Sequence, residues 1–450
     1  MADLAVRGGR VVLATEIREA DVLIADGVIT EIVAPGSGAA AAELDARGAL
    51  VLPGVVDAHV HVNEPGRAEW EGWLAATRGA AAGGVTTIAD MPLNSLPPTL
   101  DATAFDAKRS AAERLAVVDF ALWGGLVRAD DTALRDLAAR GVVGVKAFLC
   151  PSGVDEFAHL DADELVPALR SAAAAGLLVA AHCEDDGTIA RATAQIGDRR
   201  DRRAWLDSRP VSAERIAIER VAAAARETGA RVHVVHVSHP DAFESAAHAR
   251  RSGADLTAET CPHYLAFDAA DTERLGPLLK CAPPIRSGVR TKLWERVVSG
   301  RVDLVASDHS PCTAGQKTRG DEDIFLAWGG VSGIQSTLPL MLTEGLHQRG
   351  MSPVAIAQLL ATRPARRLGL WPRKGEIRAG ADADLAIVDP DREWTLTADA
   401  LHTRSGLSPY LGRRFRGAVA YTLVRGRVVC EGGEVVGEPG AGRFVARVRE

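Results

Sequence analysis

Residues 55–61 read VVDAHVH, an apolar run that ends on two histidines spaced two apart. A short, nearly continuous apolar run of this kind suits a strand buried on both faces. Seven more runs of similar build follow: GVTTIADM at 84–91, AVVDFALWGG at 116–125, GVVGVKAF at 141–148, LLVAAHCE at 177–184, VHVVHVS at 232–238, ADLTAET at 254–260 and VDLVASDHS at 302–310. Ala-rich helical stretches lie between most of them, among them EWEGWLAATRGAAAG (69–83), TALRDLAAR (132–140), ADELVPALRSAAAAG (162–176) and SAERIAIERVAAAARETG (212–229). Eight strand-like runs alternating with helices predict an α/β fold, a (β/α)8 TIM barrel. An open doubly wound sheet is the alternative, and no Gly-rich dinucleotide fingerprint supports it.

Outside the runs the chain changes character. DLAVRGGRVVL and EADVLIADGVITEIV near the start, and DADLAIVDP, REWTLTA and AYTLVRGRVVCEGGEVV near the end, read as short strands punctuated by Gly and Asp. The two ends are expected to pair into one small sheet domain. With 47% hydrophobic residues in 450, the chain can bury a large core. Its formal charge of −7 argues against a nucleic-acid or anionic-membrane partner. No apolar run reaches the ~18 residues a membrane span needs. The first residues, MADLAVRGGRVVLATE, lack the basic-then-apolar order of a secretory signal, so a cytoplasmic location is expected. The six cysteines form no CxxC pair and read as free thiols.

Active sites of such barrels gather at the C-terminal ends of the strands, so the residues at the ends of the runs carry the chemistry. Alternate strand residues share a face, which sets His59 and His61 together with Asp57. They are either two divalent-metal ligands or a pair of satisfied core histidines. Lys146 lies in the apolar context GVKAFLC. A buried lysine is normally snorkelling or paired with a carboxylate. Alternatively, low-dielectric surroundings lower its pKa, and the neutral amine takes up carbon dioxide as a carbamate whose two oxygens bridge two metals. The fifth run offers His182. The sixth offers His233, His236 and His239; alternation turns His236 away from the other two, and spacing does not choose among them. The eighth offers Asp308 and His309, and a carboxylate there suits both metal binding and proton transfer. Taken together, these side chains suit two divalent ions ~3.5–4 Å apart, whose shared water ionises near neutral pH and attacks a carbonyl. Zinc fits imidazole and carboxylate ligands, as do iron, cobalt and manganese.

The segments LVLPGVVDAHVH, VKAF, HCE, HVVHVS, CPHYL, APPIR, SDHSPC and KGEIRAGADADLAIVD together resemble the cyclic amidohydrolase branch of the amidohydrolase superfamily over nearly the whole chain. Within it the sequence resembles allantoinases in particular. The resemblance implies a binuclear metal centre with ligands His59, His61, carboxylated Lys146, His182, His236 and Asp308, the last also acting as general base. It favours His236 over its neighbours through the HVS context. It implies a β-sandwich built from residues 1–52 and 373–450 beside a barrel at 53–372, and a homotetramer. The expected reaction is hydrolytic opening of allantoin to allantoate in purine catabolism. HVHVNEPGR, DMPLNSLPPT and AWGGVSGIQSTLPLML resemble the allantoinase forms. Dihydroorotases place a carboxylate-gripping Arg where this chain has Asn63. Dihydropyrimidinases and hydantoinases place an oxyanion-polarising Tyr where this chain has Pro151, which leaves Ser152 as a substitute donor or a plain loop hydroxyl. Backbone groups near Ala282 and Gly329 are expected to read the imide edge of the ring, with Asn94 either close by or stabilising a turn. Trp70 and Trp73 read as helix packing, and the Arg199–Arg203 cluster as a solvated helix or loop, or a subunit contact. The alternatives are a hydantoinase or dihydropyrimidinase, and a noncatalytic scaffold relative that has lost its ligands.

Overall fold

The computed structural model describes residues 1–448. All eight runs form strands: Val55–Val60, Val85–Asp90, Asp119–Leu122, Val145–Phe148, Leu178–His182, Arg231–Val234, Leu256–Thr260 and Leu304–Val305. Neighbours pair in parallel in chain order. The third strand breaks at Trp123 and resumes at Gly124–Gly125, which pairs with the fourth. A parallel bridge between Val60 and His309 joins the eighth strand's end to the first and closes the barrel.

Strand ends place the site, and local chemistry sets where the strands begin. Only Gly54 separates the last N-terminal sandwich strand, Leu50–Pro53, from the first barrel strand. A Cβ on Gly54 would lie 2.2 Å from Thr86 Oγ1 on the second strand, so the close approach of the two strands requires glycine. The helix expected over 69–83 begins only at Trp73 and runs to Ala82. Gly72 at φ 83° breaks the helical path, and Glu64 accepts the Trp73 N–H at 2.9 Å, which fixes the start. Trp70 is therefore not helical; it stands edge-on to Trp328, ring centroids 4.7 Å apart, while Trp73 is fully buried against Phe120.

The two chain ends meet in the β-sandwich, whose nine strands form one hydrogen-bonded ladder. Leu50–Pro53 pairs antiparallel with the start of Leu385–Thr395, the contact that joins the N-terminal strands to the C-terminal ones. Val11, Val22, Val51, Ile387 and Leu423 form part of its apolar core. Lys374 ties the sandwich to the barrel: its Nζ donates to Asp119 and Asp384 at 2.6 Å each and lies 2.9 Å from Asp382. All six cysteines are free and buried. No helix among the described residues is long and apolar enough to cross a membrane.

Candidate metal centre

The strand ends converge. His59, His61, Lys146, His182, His236 and Asp308 line one cavity of about 400 Å3, together with Asn94, Ser152, Ala282 and Gly329. His59 Nε2 and His61 Nε2 lie 3.3 and 3.5 Å from the same Asp308 oxygen. On the other side, His182 Nδ1 and His236 Nε2 face each other at 3.0 Å.

Each of three imidazoles is held by its outer nitrogen. His59 Nδ1 donates to Glu259 at 2.7 Å, His61 Nδ1 to the Leu93 carbonyl at 2.9 Å, and His182 Nε2 to Glu184 at 2.9 Å. A donor bond of this kind fixes the tautomer and aims the opposite nitrogen at the cavity, as in metal-ligating histidines. Burial pushes the His59, His182 and His236 pKa values down, so these rings stay neutral. Burial alone would raise Asp308, but the neighbouring histidines outweigh it and hold the carboxyl well below the usual range. Neutral imidazole and anionic carboxylate are the forms that bind metal.

The backbone explains why strand alternation could not choose among the sixth-run histidines. Strand pairing stops at Val234, and His236 has φ 42°, a left-handed turn that swings its ring toward His182. Asp308 has φ 44°. Positive φ costs a non-glycine residue energy and concentrates at functional sites. His233 instead donates to Glu259 at 2.9 Å, and His239 accepts the Asp241 N–H at the start of the helix Pro240–Arg251. His309 lies between Glu71, 3.2 Å from its Nε2, and the Gly333 N–H, 3.2 Å from its Nδ1.

Lys146 is buried, and its Nζ has no hydrogen-bond partner among the described residues. Burial lowers its pKa to about 8, against the pull of Asp308 and Glu259. The donor set fits divalent cations: four imidazoles, one carboxylate and an unpartnered amine face one space, and His59, His61 and Asp308 already converge within ligand distance of one another.

The remaining expectations divide. Asn94 donates to Asn63 Oδ1 at 3.0 Å, and Asn63 donates to the Pro311 carbonyl at 3.2 Å, so Asn94 both borders the cavity and links the loops after strands one, two and eight. The Ser152 hydroxyl donates to the Phe157 carbonyl at 2.6 Å, which uses its one proton on its own turn; it offers no donor to the cavity in this geometry. Ala282 and Gly329 border the cavity, and among the described residues their peptide groups take part in no hydrogen bond.

Two acids escaped the reading of the sequence. Glu259, near the end of the seventh run, holds both His59 and His233 and accepts the His236 N–H at 3.2 Å. Burial would raise its pKa, but His59 and His233 outweigh it and hold the carboxyl at about 2. Glu184, two residues after His182, pairs with Arg209 as well. The signal for Glu259 was present: a carboxylate near the end of a buried run, the same cue that singled out Lys146.

The Amidohydrolase family model matches residues 50–429. The chain is similar to an allantoinase of Rubrobacter xylanophilus, 49% identical over 100% of this chain and 98% of that one, and to an allantoinase of Deinococcus radiodurans, 45% identical over 97% of each. Among solved structures it resembles the L-hydantoinase (dihydropyrimidinase) of Arthrobacter aurescens, with TM-score 0.96 and 36% identity over 99% of this chain and 100% of that one. It also resembles the dihydropyrimidinase of Brevibacillus agri, with TM-score 0.91 and 30% identity over 99% of each. A match across the barrel and into both sandwich segments, with ligand-type side chains converging at the strand ends, places this chain in the amidohydrolase family.

Proposed function

We propose that this protein is a metal-dependent cyclic amidohydrolase that opens the ring of allantoin to give allantoate. The observation that carries the chemistry is the convergence of four imidazoles, Lys146 and Asp308 on one cavity whose lining also includes the unengaged peptide groups of Ala282 and Gly329. The full-length likeness to allantoinases carries the choice of substrate.

Family membership implies divalent metal ions. We assign two of them, zinc first among the candidates, to His59, His61, Lys146, His182, His236 and Asp308. When bound, they would polarise the ring carbonyl and let a water ionise near neutral pH. Lys146 supports a bridging role through its buried, partnerless amine: the neutral nitrogen adds to carbon dioxide, releases a proton and becomes a carbamate anion. Asp308 is placed to take the proton of the attacking water and return it to the ring nitrogen as the amide bond breaks. Free N–H and C=O groups at Ala282 and Gly329 complement the alternating acceptors and donor of an imide edge. The outer-nitrogen bonds from Glu259, Leu93 and Glu184 keep the imidazoles aimed throughout.

Pairing of Leu50–Pro53 with Leu385–Thr395 supports a division into a sandwich of residues 1–52 and 373–450 and a catalytic barrel of residues 53–372. A cytoplasmic homotetramer acting in purine breakdown is the corresponding biological reading, and sedimentation of the purified protein tests the assembly. The decisive assay compares ring opening of allantoin, hydantoin and dihydrouracil. We expect the highest kcat/KM on allantoin; higher efficiency on dihydrouracil would overturn the assignment in favour of a dihydropyrimidinase.

A further inference from the structure

The 325–330 loop borders the cavity and carries Gly329. Two buried lysines hold it by its carbonyls. Lys280 Nζ donates to the carbonyls of Phe325 at 3.0 Å and Ala327 at 2.6 Å. Lys317 Nζ donates to those of Trp328 at 2.9 Å and Gly330 at 2.6 Å. The Gly330 N–H returns a bond to the Lys280 carbonyl at 2.7 Å. Lys280 also lies 4.3 Å from the centre of the Trp205 ring.

This arrangement is unusual for lysine. Among the described residues neither amine forms an ion pair with a carboxylate, so the two buried groups are satisfied by carbonyl dipoles and, for Lys280, by the face of the Trp205 ring. Burying a charge without a counter-charge is costly, and apolar residues of similar volume would fill the space more cheaply. Burial and the nearby Lys317 and Arg209 push Lys280 down to about 7. Even as a neutral amine it keeps two N–H donors, one for each carbonyl it holds. With the carbonyls of residues 325, 327, 328 and 330 turned to the lysines, Gly329 is the loop glycine whose peptide groups face no protein partner. Ala282, similarly unengaged, lies two residues beyond Lys280 on the segment to which the loop is stitched.

We propose that Lys280 and Lys317 are positioning residues that clamp the 325–330 loop against the 280–282 segment, so that the peptide groups of Gly329 and Ala282 meet the substrate's imide edge at a fixed separation and set its KM. The proposal rests on the ring-opening function inferred above. Of that edge, the carbonyl between the two ring nitrogens is not the one attacked and binds alike in the ground and transition states, and interactions of this kind appear in KM rather than kcat.

The test uses the metal-loaded enzyme and the variants Lys280→Met, Lys317→Met and Lys280→Ala, with allantoin as substrate. We expect KM to rise at least tenfold while kcat falls less than threefold and metal content stays at the wild-type level. Ethylammonium added to Lys280→Ala should recover part of the KM loss, and Lys280→Arg should stay nearer wild type than Lys280→Met. Hydrogen exchange of the peptide spanning 325–330, measured without substrate, should speed up in the Met variants. Unchanged KM in both Met variants, or a loss confined to kcat, would overturn the clamp. If a Met variant does not fold, the Lys280→Arg and Lys317→Arg enzymes decide: wild-type exchange and KM in both support the clamp, and KM raised tenfold despite wild-type exchange refutes it. A wild-type enzyme inactive on allantoin would refute the functional reading instead, and the exchange measurement would still judge the clamp.

Discussion

Replacing Glu259 by Gln changes one buried oxygen to an amide nitrogen and tests how far the site depends on its supporting shell. Glu259 is fully buried and accepts from His59 Nδ1 at 2.7 Å, His233 Nε2 at 2.9 Å and the His236 N–H at 3.2 Å. Its pKa falls from 4.5 to about 2 even though burial opposes the change. At 1.36 kcal/mol per unit, the surroundings favour the anion by about 3 kcal/mol. Glutamine removes that charge and turns an NH2 group toward one of the two imidazole N–H donors, so one buried donor loses its acceptor. Loss of such a partner typically lowers metal affinity or activity about 10–100-fold. We therefore expect the Gln variant to lose divalent metal at about 10–100-fold lower chelator concentration than wild type, with the fall in kcat/KM tracking the loss of metal. The assay is equilibrium dialysis against graded chelator, followed by metal analysis and activity on allantoin. A folded Glu259→Gln protein that keeps wild-type metal occupancy and turnover across the whole series would refute the idea that this carboxylate holds His59 in ligand geometry. The pH dependence has a definite sign. A carboxyl with a depressed folded pKa stabilises the fold above its unfolded value, so the metal-free wild type should lose this contribution as pH falls from 4.5 toward 2, and the Gln variant should lack that part of its acid sensitivity.

Lys146→Ala should abolish activity, with part of it returning when short carboxylic acids are added; full activity without rescue would exclude a bridging role. Because only the neutral amine adds to carbon dioxide and burial lowers the Lys146 pKa to about 8, reactivation of metal-stripped enzyme by metal at a fixed concentration of dissolved carbon dioxide should quicken as pH rises toward 8. A solvent-exposed lysine would be only about 0.4% neutral at that pH, so a rate that is flat through this range would count against Lys146 as the acceptor. Asp308→Asn should lower kcat about 10²–10⁴-fold, the usual worth of a positioned proton acceptor; a fall of less than tenfold would move that role elsewhere. Lys374→Met leaves the buried Asp119 and Asp384 and the neighbouring Asp382 without their shared cation, and Arg425 still pairs with Asp119. Breaking a buried ionic cluster costs about 3–5 kcal/mol, so thermal unfolding should begin several degrees lower; an unchanged Tm would show that the sandwich is held to the barrel by its apolar contacts.

Much of the fold is legible in the sequence because a strand buried on both faces has a simple signature, a short apolar run between turn residues. Each of the eight runs is such a strand. Lys146 and the HxH pair stand out because a charged or ligand-type residue inside such a run needs a reason to be there. Periodicity fails where the backbone leaves ideal geometry. Gly72 breaks the helix that Trp70 was expected to join, and the left-handed residues His236 and Asp308 turn their side chains in directions that alternation does not describe. The sequence left Ser152 open between a donor and a plain loop hydroxyl, because it shows that a hydroxyl is present but not that it bonds a carbonyl five residues away.

From the sequence alone came the barrel, the ligand types at its strand ends and the family, since each depends on local composition and on motifs spaced along one chain. The family likeness already favoured His236 among the sixth-run histidines; only the tertiary structure showed the left-handed residue that brings its ring to the cavity, that Glu259 reaches across 200 residues of chain to hold His59, and that two buried lysines bond the carbonyls of the 325–330 loop. Those outcomes depend on closing the barrel, which brings side chains far apart in the chain within hydrogen-bonding distance; no local pattern encodes a contact made only when the first and eighth strands meet.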